Sequence, residues 1–197
     1  MPHPIRLLAF HGSLRRASLN GRLLELAAQE AERAGASVTR LALGELALPL
    51  YDPNLEEQEG FPSGAIQLKQ AMATHDGFLV ASPEHNACVT AVLKNSFDWA
   101  SRALPGERRF ASLAGRPAAL LAASPGPLGG ARSLTALRAI LQELEVLAIP
   151  EQVVLPRAQA AFSPDGALLD ERATAAVRRV VARLIEVATR LRATPPA

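Results

Sequence analysis

Three short stretches hold most of the residues in this chain that could do chemistry: His11–Asn20 (HGSLRRASLN), Pro83–Cys88 (PEHNAC) and Ser124–Ala131 (SPGPLGGA). In the first, Gly12 allows a tight turn, Ser13 and Ser18 offer short hydroxyls, and Arg15 offers a planar positive fork. The stretch runs into a helical pattern whose first N–H groups lack intrahelical partners, at the positive end of its dipole. Those parts suit a phosphate monoester, which needs several donors and charge neutralisation. The competing account is a polar helix cap with solvated arginines. No Gly-Lys-Ser/Thr follows and no Gly-x-Gly-x-x-Gly is present, so neither a P-loop nor a dinucleotide fingerprint is indicated.

The second stretch has no glycine, so Pro83 and side-chain bonds must shape it. Asn86 is placed to bond locally and to cap the following helix. Glu84 and His85 are adjacent and seldom face one another, and no third group orients them, so no catalytic side chain is expected here. Cys88 has only His85 nearby and reads as packing at a helix start rather than as a nucleophile. The third stretch can bring backbone close to a flat ligand, or it is simply an awkward turn. No His/Cys/Asp/Glu set has ligand spacing, so no metal is expected.

The hydrophobic pattern supplies the elements that must position these stretches. Apolar runs at 4–10, 37–43, 77–82, 117–123 and within 146–155 predict strands. Helical spacing predicts helices over 20–34, 63–74 (with Ser63 as cap), 89–102, 131–144 and 170–192. The Pro- and Glu-rich 46–62 reads as an ordered excursion, and 104–114 as a basic, flexible connection. Lys94 and Asp98, four apart, pair along one helix face. Fivefold alternation predicts a three-layer α/β domain over 1–197, a parallel sheet with helices on both faces and a frayed tail at 193–197. Right-handed crossovers suggest the order 2-1-3-4-5, with another three-layer nucleotide-binding order as the alternative. In order 2-1-3-4-5 the first, third and fourth strands are neighbours. Their loops, the three stretches above, then converge beside the switch point where such sheets bind ligands.

Composition narrows the classes further. With 197 residues, 49% of them hydrophobic and 20% charged, the chain is neither disordered nor collagen-like. Twenty-one Lys+Arg against 19 Asp+Glu give a net charge of +2, too little to announce a nucleic-acid partner. The charge is uneven, however: residues 1–24 contain Arg6, Arg15, Arg16 and Arg22 and no carboxylate, a local field that favours an anion. One cysteine excludes an internal disulfide. No apolar run approaches the ~20 residues of a membrane span, and the first apolar stretch is too short for a signal peptide core. A soluble cytoplasmic protein is expected.

Taken together, Gly12-Ser13-Leu14-Arg15 with Ser18 and Asn20, Ser82-Pro83-Glu84-His85-Asn86, and Leu93-Lys94-Asn95-Ser96-Phe97-Asp98-Trp99 resemble the NADPH-dependent FMN reductase family. Leu50-Tyr51-Asp52-Pro53 with residues 56–62, and Gly129-Gly130-Ala131-Arg132, look like its quinone and chromate reductase branch. The likeness spans about residues 5–155 in order and spacing. It implies a flavodoxin-like domain that holds FMN non-covalently, takes hydride from NADPH or NADH, and passes electrons to a quinone, free flavin, azo compound or metal oxyanion such as chromate. It also implies that Ser13, Arg15, Ser18, Leu19 and Asn20 surround the FMN phosphate, that Pro83, Glu84, His85 and Asn86 run along the ring, and that Ser124 and Gly126 flank it. Family members are commonly homodimers or homotetramers, with the helix after residue 89 at the interface and Arg132 near the pocket mouth or a subunit contact. His85 departs from the tyrosine usual at its position; histidine has a smaller ring and, as a residue type, can carry charge near neutral pH. An adenosine 2′-phosphate would need an arginine, and Arg102, Arg108, Arg109 and Arg132 are all available. Two other classes compete with the enzyme: a flavodoxin-type electron carrier, which would normally show a strongly acidic face, and a flavin-binding regulatory or interaction module.

Overall fold

The computed structural model describes residues 3–193; of the tail expected at 193–197, all but Ala193 lies outside the described residues. Five strands form one parallel sheet: β1 (Arg6–His11), β2 (Ser37–Leu41), β3 (Gly77–Ala81), β4 (Pro117–Ala123) and β5 (Leu147–Leu155). Their order is β2-β1-β3-β4-β5, as the crossover argument anticipates. The helices are α1 (Leu19–Arg33), α2 (Pro53–Glu59), α3 (Ser63–Ala73), α4 (Ala91–Ala100), α5 (Ala131–Glu143) and α6 (Glu171–Ala193). The flavodoxin-like order is therefore the one adopted.

Alternation along the strands builds two separate cores. Leu7, Ala9, Leu79, Ala81, Ala119 and Leu121 point to one face, where Leu23, Ala27 and Ala31 of α1 and Val177, Val180 and Leu184 of α6 cover them. Leu8, Phe10, Phe78, Val80, Ala118 and Leu120 point to the other, against Met72 of α3, Leu93 and Phe97 of α4, and Leu137 of α5. β3 and β4 are buried along their whole length, which is why their sequences run apolar without interruption. Each fully buried leucine contributes roughly 1.5–3 kcal/mol of transfer free energy.

β5 sits at the sheet edge and carries Pro150, tolerated there because its register against β4 slips between Ala118 and Leu120. Arg138 of α5 donates to the carbonyls of Ile149 and Pro150 beside the irregularity.

The 46–62 excursion is fastened to α4. Asn95 Nδ2 and Trp99 Nε1 both donate to the Pro49 carbonyl at 2.8 Å, and the Tyr51 N–H donates to Asn95 Oδ1. Tyr51 meets Trp99 edge-on with centroids 5.1 Å apart, and its hydroxyl donates to Glu56. The excursion contains α2, a helix the pattern reading passed over although its signals are present: Asp52 caps it and Pro53 opens it. The 104–114 connection, expected to be flexible, buries Phe110, Ser112 and Leu113. Behind it, Lys69 is 2% exposed and donates to the Arg102 carbonyl and to Glu107. Two cap assignments change. Pro62, not Ser63, precedes α3 and no side chain caps it, while Thr90, not Asn86, caps α4.

Gly64, in the first turn of α3, has no room for a side chain: a Cβ there would lie far inside van der Waals contact distance of the Leu46 carbonyl oxygen. Gly64→Ala should therefore lose about 2–3 kcal/mol by overpacking, more than the ≈1 kcal/mol that alanine gains over glycine in a helix. A urea midpoint equal to or above wild type would refute this.

Candidate active site

All three chemistry-bearing stretches leave the carboxyl edge of the sheet, after β1, β3 and β4, and side-chain bonds tie them to one another. Gly12 donates its N–H to Ala81 at the end of β3. Thr90 Oγ1 donates to the Gly12 carbonyl at 2.6 Å, and a Cβ on Gly12 would lie 2.6 Å from that same Oγ1. Gly12 is thus required by the close approach of this loop to the start of α4. Asn20 is buried, and both polar atoms of its amide bond one residue: Nδ2 donates to the Ala123 carbonyl at 2.8 Å and Oδ1 accepts the Ala123 N–H at 3.0 Å. Ser133 Oγ shares its proton between the Gly130 carbonyl at 2.8 Å and the Ser82 carbonyl at 3.1 Å, linking α5 to the residue after β3.

Around the first loop, Ser18 caps α1 by accepting the Gly21 N–H at 3.1 Å. Ser13 Oγ accepts the Arg15 N–H, and the Ser13 N–H donates to His11 Nδ1 at 3.2 Å. Burial lowers the His11 pKa, and with Nδ1 accepting, its proton sits on Nε2. That nitrogen lies where a side chain on Gly21 would start, 3.1 Å from a Cβ built there. The guanidinium groups of Arg15 and Arg16 are exposed and make no hydrogen bond or ion pair among the described residues. Leu19 and Asn20, at the start of α1, present first-turn N–H groups that no helical carbonyl can reach. Two unpaired guanidinium groups, short hydroxyls and helix-start amides form a donor set suited to a phosphate monoester.

The second loop is a two-residue turn. His85 and Cys88 exchange both backbone hydrogen bonds, at 3.0 and 2.9 Å, with Asn86 at φ 50° and Ala87 at φ 63°. Positive φ at both central positions is the type I′ geometry that matches strand twist. It exposes His85 and Asn86 and leaves Cys88 exposed as well, rather than packed at the helix start as the sequence suggests. Pro83 is buried. Glu84 turns away to Arg132 at the start of α5, accepting its backbone N–H at 3.0 Å, its Nε at 2.7 Å and its Nη2. That contact holds the Glu84 carboxyl below the usual carboxylate range.

The third loop divides its glycines between two tasks. Gly129 and Gly130 both have positive φ and press on Val154 and Ala122, so they serve packing. A Cβ on Gly126 would meet only Ser124 Oγ at 3.6 Å, so its surface is open. Ser124 Oγ accepts the Gly126 N–H at 3.2 Å.

Two cavities meet at Arg15. One of about 250 Å³ is lined by Gly12, Ser13, Arg15, His85 and Thr90. The other, about 640 Å³, runs along α1 toward residues 165–178 and is lined by His11, Arg15, Arg16 and Ser18. Ser13, Arg15 and His85 are therefore brought together, while Glu84 and the Asn20 side chain are spent on holding loops. Three of the arginines offered for a 2′-phosphate are engaged: Arg102 with Glu56, Arg109 with Glu143, and Arg132 with Glu84. Arg108 lies at the opposite edge of the sheet. His11 and Thr90 are site residues that motif reading missed. Thr90 was accessible as a hydroxyl at a helix start, whereas the role of His11 depends on a two-residue back-bond with no sequence signal. Among the described residues no group of three potential ligands could hold a metal ion.

A flavodoxin-like sheet with an anion-ready helix start and a rigid turn beside it defines the class of a flavin-binding α/β protein. The particular family follows from the sequence: the profile of the NADPH-dependent FMN reductases matches residues 5–160, and the chain belongs to that family of oxidoreductases. It is 35% identical over 194 residues to an NAD(P)H-dependent FMN reductase of Pseudomonas aeruginosa, covering 98% of this chain and all of that one. It is 36% identical over 148 residues to a quinone reductase of Escherichia coli, covering 75% and 74% of the two chains. In structure it is similar to the flavoenzyme NAD(P)H:(acceptor) oxidoreductase FerB of Paracoccus denitrificans, with a TM-score of 0.77, 26% identity, and 94% and 98% of the chains covered.

Because Arg132 lowers the Glu84 pKa, the pair stabilises the protein above the ordinary carboxylate range and loses that effect as pH falls through the lowered value. Glu84→Gln should therefore be less stable than wild type at pH 7, and the gap should close in acid. A gap that is constant with pH in thermal melts would rule out the ion pair as its source.

Proposed function

We propose that this single domain is an FMN-dependent NAD(P)H oxidoreductase that reduces quinones, with FMN held non-covalently at the carboxyl edge of the sheet. The observation that carries the reading is the pair of unpaired guanidinium groups, Arg15 and Arg16, at the start of α1, with Ser13 and His85 on the cavity that Arg15 shares. Arg15, Ser13, Ser18 and the backbone of Leu19 and Asn20 would hold the phosphate. Pro83, Glu84, His85 and Asn86 would form one side of the ring site, with Ser124 and the open surface of Gly126 beside it. Bound FMN would supply hydride acceptance from NAD(P)H and electron delivery to the acceptor.

The chain's own residues position and neutralise. Arg15 offsets the phosphate charge, and the Asn20 and Thr90 bonds fix the loops before ligand arrives. His85 stands exposed at the rim, where an acceptor must pass, and replaces a large ring with a smaller one that leaves more room. Free flavins, azo compounds and oxyanions such as chromate would reach the same site. A homodimer or homotetramer is supported by apolar surface on the α4 side: Leu14 and Leu50 are 69% and 80% exposed and line a cavity of about 290 Å³ with Val92. The exposed, unpaired Cys88 suits a cytoplasmic setting, and no helix among the described residues is long and apolar enough to cross a membrane.

An anaerobic visible spectrum of the FMN-loaded protein should bleach with one equivalent of NADPH and recover on adding a quinone. A flavin that stays oxidised would favour the carrier or regulatory reading, and failure to bind flavin would end the proposal. If one pocket serves both half-reactions, double-reciprocal plots against a quinone should be parallel; intersecting lines would refute a shared pocket. Arg15→Ala should weaken FMN retention by roughly 1.5–3 kcal/mol, the range for a charged hydrogen bond, with an unchanged melting temperature in the apoprotein. Unaltered flavin affinity would remove Arg15 from the phosphate site.

A further inference from the structure

At the amino edge of the sheet, opposite the site described above, four arginines surround a cleft of about 330 Å³: Arg6 at the start of β1, Arg116 just before β4, Arg108 in the preceding connection and Arg192 in the last turn of α6. Asp76 is the one carboxylate lining it among the described residues, and it is shared. Its Oδ2 accepts the Arg6 N–H at 2.8 Å and lies 3.9 Å from Arg6 Nε and 3.7 Å from Arg192 Nη1. Four guanidinium groups against one carboxylate leave a surplus of three positive charges in a concave place. Arg6, Arg108 and Arg192 are exposed and Arg116 is half-buried, so the surplus faces solvent and raises the local concentration of anions at the cleft.

Local structural duties account for part of this cluster. Arg116 donates to the carbonyls of Ala73, His75 and Ala111, and so satisfies the C-terminal end of α3. Arg192 donates to the Pro4 carbonyl at 3.1 Å. Three of the five N–H groups of Arg116 are used, which leaves two to offer. Burial, and after it the neighbouring Arg108 charge, lower the Arg116 pKa. Arg108 has no structural duty: its guanidinium makes no hydrogen bond or ion pair among the described residues, yet it stands close enough to Arg116 to repel it.

We propose that this cleft is a second anion site, separate from the flavin site, that binds a compact polyphosphate such as pyrophosphate or the phosphate chain of a nucleotide. The surplus of three charges matches pyrophosphate near neutral pH better than it matches a single orthophosphate, and planar guanidinium forks suit phosphate oxygens. The cavity is at the small end of ligand sites, which fits a phosphate chain and leaves any attached nucleoside in solvent. Occupancy at the amino edge would tie the ends of β1, β4 and α6 together without touching the flavin loops.

The test is calorimetric titration of inorganic pyrophosphate into the enzyme saturated with FMN, so that the flavin phosphate site is filled, at constant ionic strength. A single saturable site and a raised melting temperature are expected. Arg108→Ala, which removes a group with no partner to leave behind, should weaken binding roughly tenfold, and Arg192→Ala should do likewise, both with unchanged NADPH turnover. Arg15→Ala should bind pyrophosphate as wild type does. No saturable heat, equal affinity for orthophosphate, or binding that is lost in Arg15→Ala but kept in Arg108→Ala would each overturn the proposal.

Discussion

The carboxamide of Asn20 ties the first turn of α1 to the last residue of β4, across 103 positions of sequence, and the carboxyl edge of the sheet is organised around it. Both polar atoms of the amide are satisfied by one backbone unit in a buried place, where an unmade bond would cost about 1–3 kcal/mol. The bond fixes how far α1 stands from β4, and so the gap between the first loop and the third. Thr90 sets the corresponding distance from the first loop to α4, and Ser133 from β3 to α5. Three neutral side chains therefore hold the walls of the site, leaving Arg15 and Arg16 free of structural work.

This division of labour explains which parts of the molecule were legible in the sequence. β3 and β4 are buried on both faces, so an uninterrupted apolar run was a faithful sign of each, and the neighbouring loops fell where the parallel order demands. α2 was overlooked because none of its residues is buried and it lacks an apolar stripe; it is held by Asp52 and by the packing of Tyr51 on Trp99. The 104–114 connection looked flexible because its arginines hide an anchor, Phe110, whose φ of 56° no pattern signals.

The site shows the same contrast. A helix start rich in hydrogen-bond donors was readable from residue types alone, since glycine, hydroxyls and arginine stand together just before α1. What each residue bonds to was not. The resemblance places Asn20 at the phosphate and Glu84 along the ring, whereas in the fold the Asn20 amide straps α1 to β4 and the Glu84 carboxylate anchors Arg132. The caps moved for a similar reason. Asn86 sits in the left-handed region that asparagine tolerates, so its place is inside the turn, and Thr90 is left to begin α4.

With the flavin ring placed along it as proposed, the turn from His85 to Cys88 would bear on how binding is driven. Its two central residues already occupy a conformation rarely visited by an unfolded chain, and both backbone hydrogen bonds across it are made. A ligand meeting this wall has little chain disorder left to freeze, so most of its contact free energy can appear as affinity. The thermodynamic signature should be that of a preformed slot: a heat-capacity change set by the ring surface removed from water, with no added contribution from folding of the loop.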